Sequence, residues 1–290
     1  MTKQEFFDLA SAGTVLLDGA TGSNLRAAGM PVGVCPEKWI LENPQILLDL
    51  QRAYVDAGSR ILCTPTFSAN RLSLRNFGLE EKVGELNAAL TALTKLAAEG
   101  RALAAGDLST MGRPLEDSGA MTYALAYDVY REQMEALAAA GVDLLAVETL
   151  MGVDEAAAAL DASAGLNLAV LCSFSAEADG GVLFGGNIRE AAVLAQEMGA
   201  AAVGVNCSVG PDQLESVIRA VREAVDIPVI AKPNAGLPIM DEFGQAHYSM
   251  DAAGFARHMV LLAEAGAGVL GGCCGSTPEY IRQLAAAIGQ

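Results

Sequence analysis

Basic side chains are scarce in this chain, and so are aromatic and imidazole groups. Of 290 residues, 18 are Lys or Arg against 35 Asp or Glu, a formal charge of −17. Such a surface repels phosphate backbones and anionic headgroups, so neither nucleic acid nor a membrane is expected as a partner. The two histidines, His247 and His258, leave little room for imidazole acid–base chemistry, and both read as ordinary helix or loop residues. Aromatics are only 5% of the residues, so Ala, Gly, Leu and Val must fill the interior; an apolar content of 52% is ample for a sizeable core. No stretch approaches the roughly 18 consecutive apolar residues of a membrane span. The start, Met1-Thr2-Lys3-Gln4-Glu5-Phe6-Phe7-Asp8, lacks the basic-then-apolar order of a signal peptide. A cytoplasmic protein is expected, in which six cysteines are buried, metal-binding or catalytic rather than cross-linked.

What is present is a regular alternation. Short apolar runs occur at 14–17, 60–64, 101–107, 142–147, 167–172, 201–206, 227–232 and 268–270, each followed by a helix-length amphipathic segment. Continuous apolar runs suit strands buried on both faces of a parallel sheet. Eight such units in this length predict a (β/α)₈ TIM barrel, an α/β fold, as one domain over residues 1–290. Helices are predicted over 36–57, 80–100, 122–140, 153–164, 189–198, 211–224, 249–265 and 278–288. The Gly-, Pro- and Asp-rich segment 109–121 reads as a long loop, and 179–186 as a small hairpin or lid.

The chemistry collects around Gly271-Gly272-Cys273-Cys274-Gly275-Ser276-Thr277-Pro278. Adjacent cysteines are awkward disulfide partners, but both can address one metal ion where flanking glycines let the backbone kink. A third thiolate is available from Cys207, and three thiolates with an open fourth position describe a catalytic zinc site rather than a closed structural one. In a barrel the active site lies at the C-terminal ends of the strands. Cys207, Cys273 and Cys274 follow the sixth and eighth predicted strands, while Asp18 and Glu148 end the first and fourth, so all five face one mouth. Cys63 and Cys172 read as small buried thiols, and Cys35 as a loop thiol without a role.

Five ordered motifs then mark a family: Asp18-Gly19-Ala20-Thr21-Gly22, Val147-Glu148-Thr149, Gly204-Val205-Asn206-Cys207, Pro233-Asn234-Ala235-Gly236 and the double-cysteine stretch. Together they resemble the zinc-dependent homocysteine S-methyltransferases, nearest the homocysteine-binding domain of cobalamin-dependent methionine synthase. The resemblance implies Zn²⁺ on Cys207, Cys273 and Cys274. It implies homocysteine held by its amino group at Asp18 and Glu148 and by its carboxylate at amides near Gly19, Ala20 and Thr21, with Asn206 and Asn234 shaping the pocket. Pro65, where the family more often carries Asn, and the loop 112–117 depart from the pattern on the face that would meet a methyl donor.

The donor expected from the resemblance is a methyl-corrinoid carried by a protein supplied in trans, with S-methylmethionine and then betaine as runners-up. Nothing in the chain reads as a segment for folate, corrinoid or donor activation. Two readings of other classes compete: a Schiff-base lyase working through Lys232, and a non-catalytic zinc- or thiol-binding subunit of a corrinoid system. Lys232 is more simply read as a charge partner for Glu148 or Asp18.

Overall fold

In the computed structural model, which describes residues 1–240 and 246–290, apolar runs become strands and the expected ring forms. In chain order the strands are β1 (Val15–Leu16), β2 (Ile61–Cys63), β3 (Leu103–Ser109), β4 (Leu144–Leu150), β5 (Val170–Phe174), β6 (Ala202–Cys207), β7 (Val229–Pro233), β8 (Pro238–Met240), β9 (Ala246–Tyr248) and β10 (Ala267–Leu270). Eight of them pair in parallel in the order β1-β10-β7-β6-β5-β4-β3-β2. A parallel bridge between Leu17 and Ile61 joins the two ends of that order, backed by Arg60 N–H donating to Leu16 O at 2.8 Å. The sheet thus closes on itself, and helices connect successive strands around it. This is the (β/α)₈ barrel.

Two apolar layers hold it. Inside the ring, Val15, Leu17, Ile61, Ala105, Leu144, Ala146, Leu171, Ala202, Ile230 and Val269 pack together. Small side chains at 105, 146 and 202 balance larger ones opposite, as a narrow barrel interior requires. Outside the ring, the other strand faces meet the helices through residues such as Leu145, Val147, Cys172, Val203 and Val205. The close approach of β6 to β7 depends on Gly204, where a Cβ would fall 2.0 Å from the Ile230 carbonyl oxygen.

The structure differs from the expected elements in instructive places. The helix predicted over 36–57 is two, Pro36–Glu42 and Pro44–Asp56, broken at Asn43 because a residue before proline is pushed out of the helical region. The segment predicted as helix 211–224 begins with a separate 3₁₀ turn, Pro211–Gln213, before Glu215–Ala224. Gly22, the last residue of the first motif, starts a short helix, Gly22–Ala27. Lys3–Ser11 forms a helix that was not expected, with a complete Thr2/Glu5 capping box. Its Phe6, fully buried, plugs the ring's interior layer. Segment 110–121 is a loop, and 176–187 carries two antiparallel bridges, Ala176 with Val182 and Gly181 with Asn187. After β7 the chain makes the antiparallel hairpin β8–β9. Among the described residues no helix is long and apolar enough to cross a membrane.

Candidate active site

All the chemistry sits at the C-terminal ends of the barrel strands. Cys207 is the last residue of β6, and both it and Ser208 adopt left-handed backbone, φ +59° and +50°. Two consecutive non-glycine residues in that region store strain, a feature that concentrates at functional sites. Ser208 is pinned there by its hydroxyl, which donates to Ala176 O at 2.8 Å, and by Asn234 Nδ2 donating to its carbonyl at 3.0 Å.

The double-cysteine loop is sewn to its neighbours by main-chain bonds. Gly272 N–H reaches Asp18 O (3.0 Å), Cys273 N–H reaches Pro233 O (2.7 Å), and Ala235 N–H reaches Cys274 O (2.9 Å). Gly275 has φ +82° and lies so close under the Tyr248 ring that a Cβ would sit 2.2 Å from it. Ser276 ties this loop to the first one: its hydroxyl accepts from Ala20 N–H at 3.1 Å and donates to Cys273 O at 2.7 Å.

These constraints bring the Sγ atoms of Cys207, Cys273 and Cys274 within 4.8 Å of one another. Thiol donation from Cys207 and Cys273 lowers the Cys274 thiol, while the same contacts push Cys207 up. Tyr248 also hydrogen-bonds to Cys274. Thiolates around a tetrahedral zinc at about 2.3 Å lie roughly 3.8 Å apart, so this sulfur set fits that ion with little movement. Beside it the Oδ1 of Asn234 is buried without a hydrogen-bond partner.

Below the sulfurs lies a second cluster that sequence reasoning recognised only in part. Glu148 is in β4, and its Oε2 is 2.7 Å from Lys232 Nζ of β7, with side chains only 9% and 6% exposed. Asp18, fully buried just after β1, accepts Cys63 N–H at 2.8 Å through Oδ2. Asp107 of β3 is buried as well, and a carboxylate oxygen of Asp107, one of Glu148 and the Cys63 sulfur lie within 4.8 Å of one another. Three carboxylates and one ammonium thus share one buried recess. Burial, partly offset by the Lys232 charge, pushes Asp18 up to about 6 and moves Asp107 and Glu148 in the same direction.

Cys63 was expected to be a partnerless buried thiol; it instead bridges this recess, with Lys232 Nζ 3.9 Å from its sulfur. Asp107 was read only as the end of a weak strand. The signal that could have found it is a carboxylate inside a run otherwise fit for a two-sided sheet. Cys172 is as expected, an inert core thiol pushed up to about 12 by burial. Cys35, expected in a loop, is buried and donates to Glu37 Oε2 at 3.2 Å.

Asn206 lies at the site but spends its side chain on the protein. Its Oδ1 accepts Thr149 N–H (2.7 Å) and the Ser173 hydroxyl (2.8 Å), and its Nδ2 donates to Thr149 Oγ1 (2.7 Å). Thr149 has φ +61° at an irregularity in the β4–β5 register, so Asn206 clamps the strained residue next to Glu148. Of the first loop's amides, Ala20 is engaged by Ser276, whereas those of Gly19 and Thr21 find no acceptor among the described residues.

A family model described as Homocysteine S-methyltransferase matches residues 15–288. The chain belongs to the homocysteine S-methyltransferase family. Two methionine synthases are similar to it: that of Mycobacterium tuberculosis, 30% identical over 304 residues covering 98% of this chain and 25% of the relative, and that of Mycobacterium leprae, 30% identical over 293 residues covering 94% and 24%. The chain therefore spans about a quarter of these relatives. Among solved structures, the homocysteine methyltransferase MmuM from Escherichia coli in its metallated form superposes with a TM-score of 0.80 at 24% identity, covering 94% of this chain and 96% of that one. The oxidised form gives the same TM-score. That likeness establishes a common barrel for this family member.

Proposed function

We propose that this chain is a zinc-dependent methyltransferase that moves a methyl group onto the thiol of homocysteine to give methionine. One observation carries the reading: a three-sulfur cluster lies beside the recess rich in buried carboxylates, since Gly272 N–H, next to Cys273, donates to Asp18 O at 3.0 Å and Cys273 N–H donates to Pro233 O, next to Lys232, at 2.7 Å. A small amino acid with a thiol at one end and an ammonium at the other matches those two features together. Family membership points the same way.

Cys207, Cys273 and Cys274 would hold the zinc, and the bound ion would supply a stabilised substrate thiolate at neutral pH. The chain's own residues do the rest. Asp18 and Glu148 favour a cationic amino group, and the unengaged amides of Gly19 and Thr21 suit a carboxylate. Asn206 and Asn234 hold the strand ends that frame the pocket. Lys232 keeps Glu148 ionised and in place. Although burial opposes its charge, the Cys63 sulfur and the Glu148 and Asp18 carboxylates hold its ammonium well above the ordinary lysine range. An ammonium ion-paired at 2.7 Å to Glu148 is poorly placed to attack a carbonyl, which argues against a Schiff-base lyase.

We infer a methyl-corrinoid carried by a protein as the donor, from the resemblance of the Thr21-Gly22 loop and of Gly275-Ser276-Thr277-Pro278 to the corrinoid-dependent enzymes, and a cytoplasmic setting in which thiolate ligands stay reduced. The test is methionine formation from homocysteine by zinc-loaded protein, with methyl-corrinoid protein, S-methylmethionine and betaine offered separately. Methionine from the corrinoid arm alone, abolished by a chelator, is expected. Turnover with S-methylmethionine or betaine alone would reassign the donor. Homocysteine bound without turnover from any donor would favour a non-catalytic subunit.

A further inference from the structure

The recess holds more negative charge than the two carboxylates assigned to the amino group, and one of those two is already occupied. Glu148 Oε2 is bound at 2.7 Å by Lys232, and that pair is neutral as a unit. Two carboxylates remain. Asp18 satisfies Oδ2 with the Cys63 amide, but its Oδ1 is buried without a partner. Asp107 is held by its backbone: its N–H donates to Thr64 Oγ1 at 3.0 Å and its carbonyl accepts from Thr66 Oγ1 at 2.8 Å. Its Oδ1 too is buried with no partner.

Folded proteins leave few buried acceptors unsatisfied, because each costs the desolvation of the group without the return of a bond. Two such oxygens in one recess, both on acids, match a missing cationic donor. Cys63 spans the two acids, its amide on Asp18 and its sulfur within 4.8 Å of carboxylate oxygens of Asp107 and Glu148. An ammonium group has three N–H donors and needs several acceptors converging from different directions. Acids from β3, β4 and the end of β1 supply that arrangement.

We propose that Asp107 is a binding residue for the substrate's ammonium group, which it receives together with Asp18 while Lys232 holds Glu148 at the side. The assignment rests on the homocysteine reading above and adds a residue to it. It makes the recess a selectivity device: of thiols that reach the sulfur cluster, those with an amino group are retained. The direction of the carboxyl shifts agrees, since acids that burial pushes upward are those that gain most from a cation brought in with the ligand.

The experiment is calorimetric titration of zinc-loaded wild type and Asp107→Asn with homocysteine and with 4-mercaptobutanoate, which keeps the thiol and carboxylate and lacks the amine. Wild type should prefer homocysteine clearly. Asp107→Asn should lose roughly ten- to a hundredfold in homocysteine affinity, the scale of a hydrogen bond to a charged group. Its affinity for 4-mercaptobutanoate and its zinc content should not change. Unchanged homocysteine affinity, or an equal loss for both thiols, would overturn the role of Asp107. Asp107→Ser, which removes the charge in a smaller side chain, carries the same contrast should the amide variant fail to fold. Wild type that binds neither thiol would instead sink the homocysteine reading, and the assignment with it.

Discussion

At the scale of single residues, the site is two kinds of chemistry placed one above the other. The sulfurs come from loops or strand ends, and none packs in the apolar layers. Cys207→Ala or Cys273→Ala should therefore leave the barrel folded while zinc content, measured by metal analysis, and turnover both fall to background. A variant keeping full activity would remove the metal from the mechanism. The carboxylate recess behaves differently because it is buried. Glu148→Gln should leave Lys232 charged and unpaired, and destabilise the fold by about 3 kcal/mol in denaturant titration. Adding Lys232→Met should restore much of that stability, since no buried ammonium would then be left without its carboxylate. If the double variant is no more stable than Glu148→Gln alone, the two residues are not coupled as described.

At the scale of elements, the strand ends are bent into shape by specific devices. Asn206 on β6 secures Thr149 on β4, and Ser276 joins the first loop to the last. The hairpin β8–β9 lays Tyr248 across Gly275. Gly275→Ala should be poorly tolerated, because its φ of +82° disfavours any side chain and the new methyl would overlap the Tyr248 ring. The expected outcome is zinc affinity lowered at least tenfold in competition with a chromophoric chelator, with the far-ultraviolet circular dichroism of the barrel unchanged. Undiminished zinc affinity would mean that the hairpin is free to move away from the cysteine loop.

At the scale of the whole molecule, stability is tied to pH through the recess. Asp18 has its carboxyl raised from 3.8 to about 6. Between those values the unfolded chain has released a proton that the folded chain keeps, so stability is greatest below the window and falls as pH rises through it. A shift of about two units corresponds to roughly 3 kcal/mol, and Asp107 and Glu148 push the same way. Melting of metal-free protein from pH 4 to 7 should show this fall, and Asp18→Asn should flatten it. An equal slope in that variant would place the linkage elsewhere.

The eight strands, their alternation with helices and the barrel they make were legible in the sequence, because strands buried on both faces write themselves as uninterrupted apolar runs. The three cysteines were legible for the opposite reason: Cys273 and Cys274 between glycines make no sense as core. The Lys3–Ser11 helix could have been read from Thr2 and Glu5, but Phe6 gains its meaning only once there is a ring to plug. Cys63 and Asp107 sit on β2 and β3, far apart in the chain, and each taken alone reads as a buried thiol or a strand end, whereas Lys232 on β7 was legible as a charge partner for Glu148 or Asp18. Local sequence determines which segments become strands, since that depends on the polarity of neighbours. Only ring closure decides which strand ends face one another, and therefore that three acids and one lysine meet beneath three sulfurs.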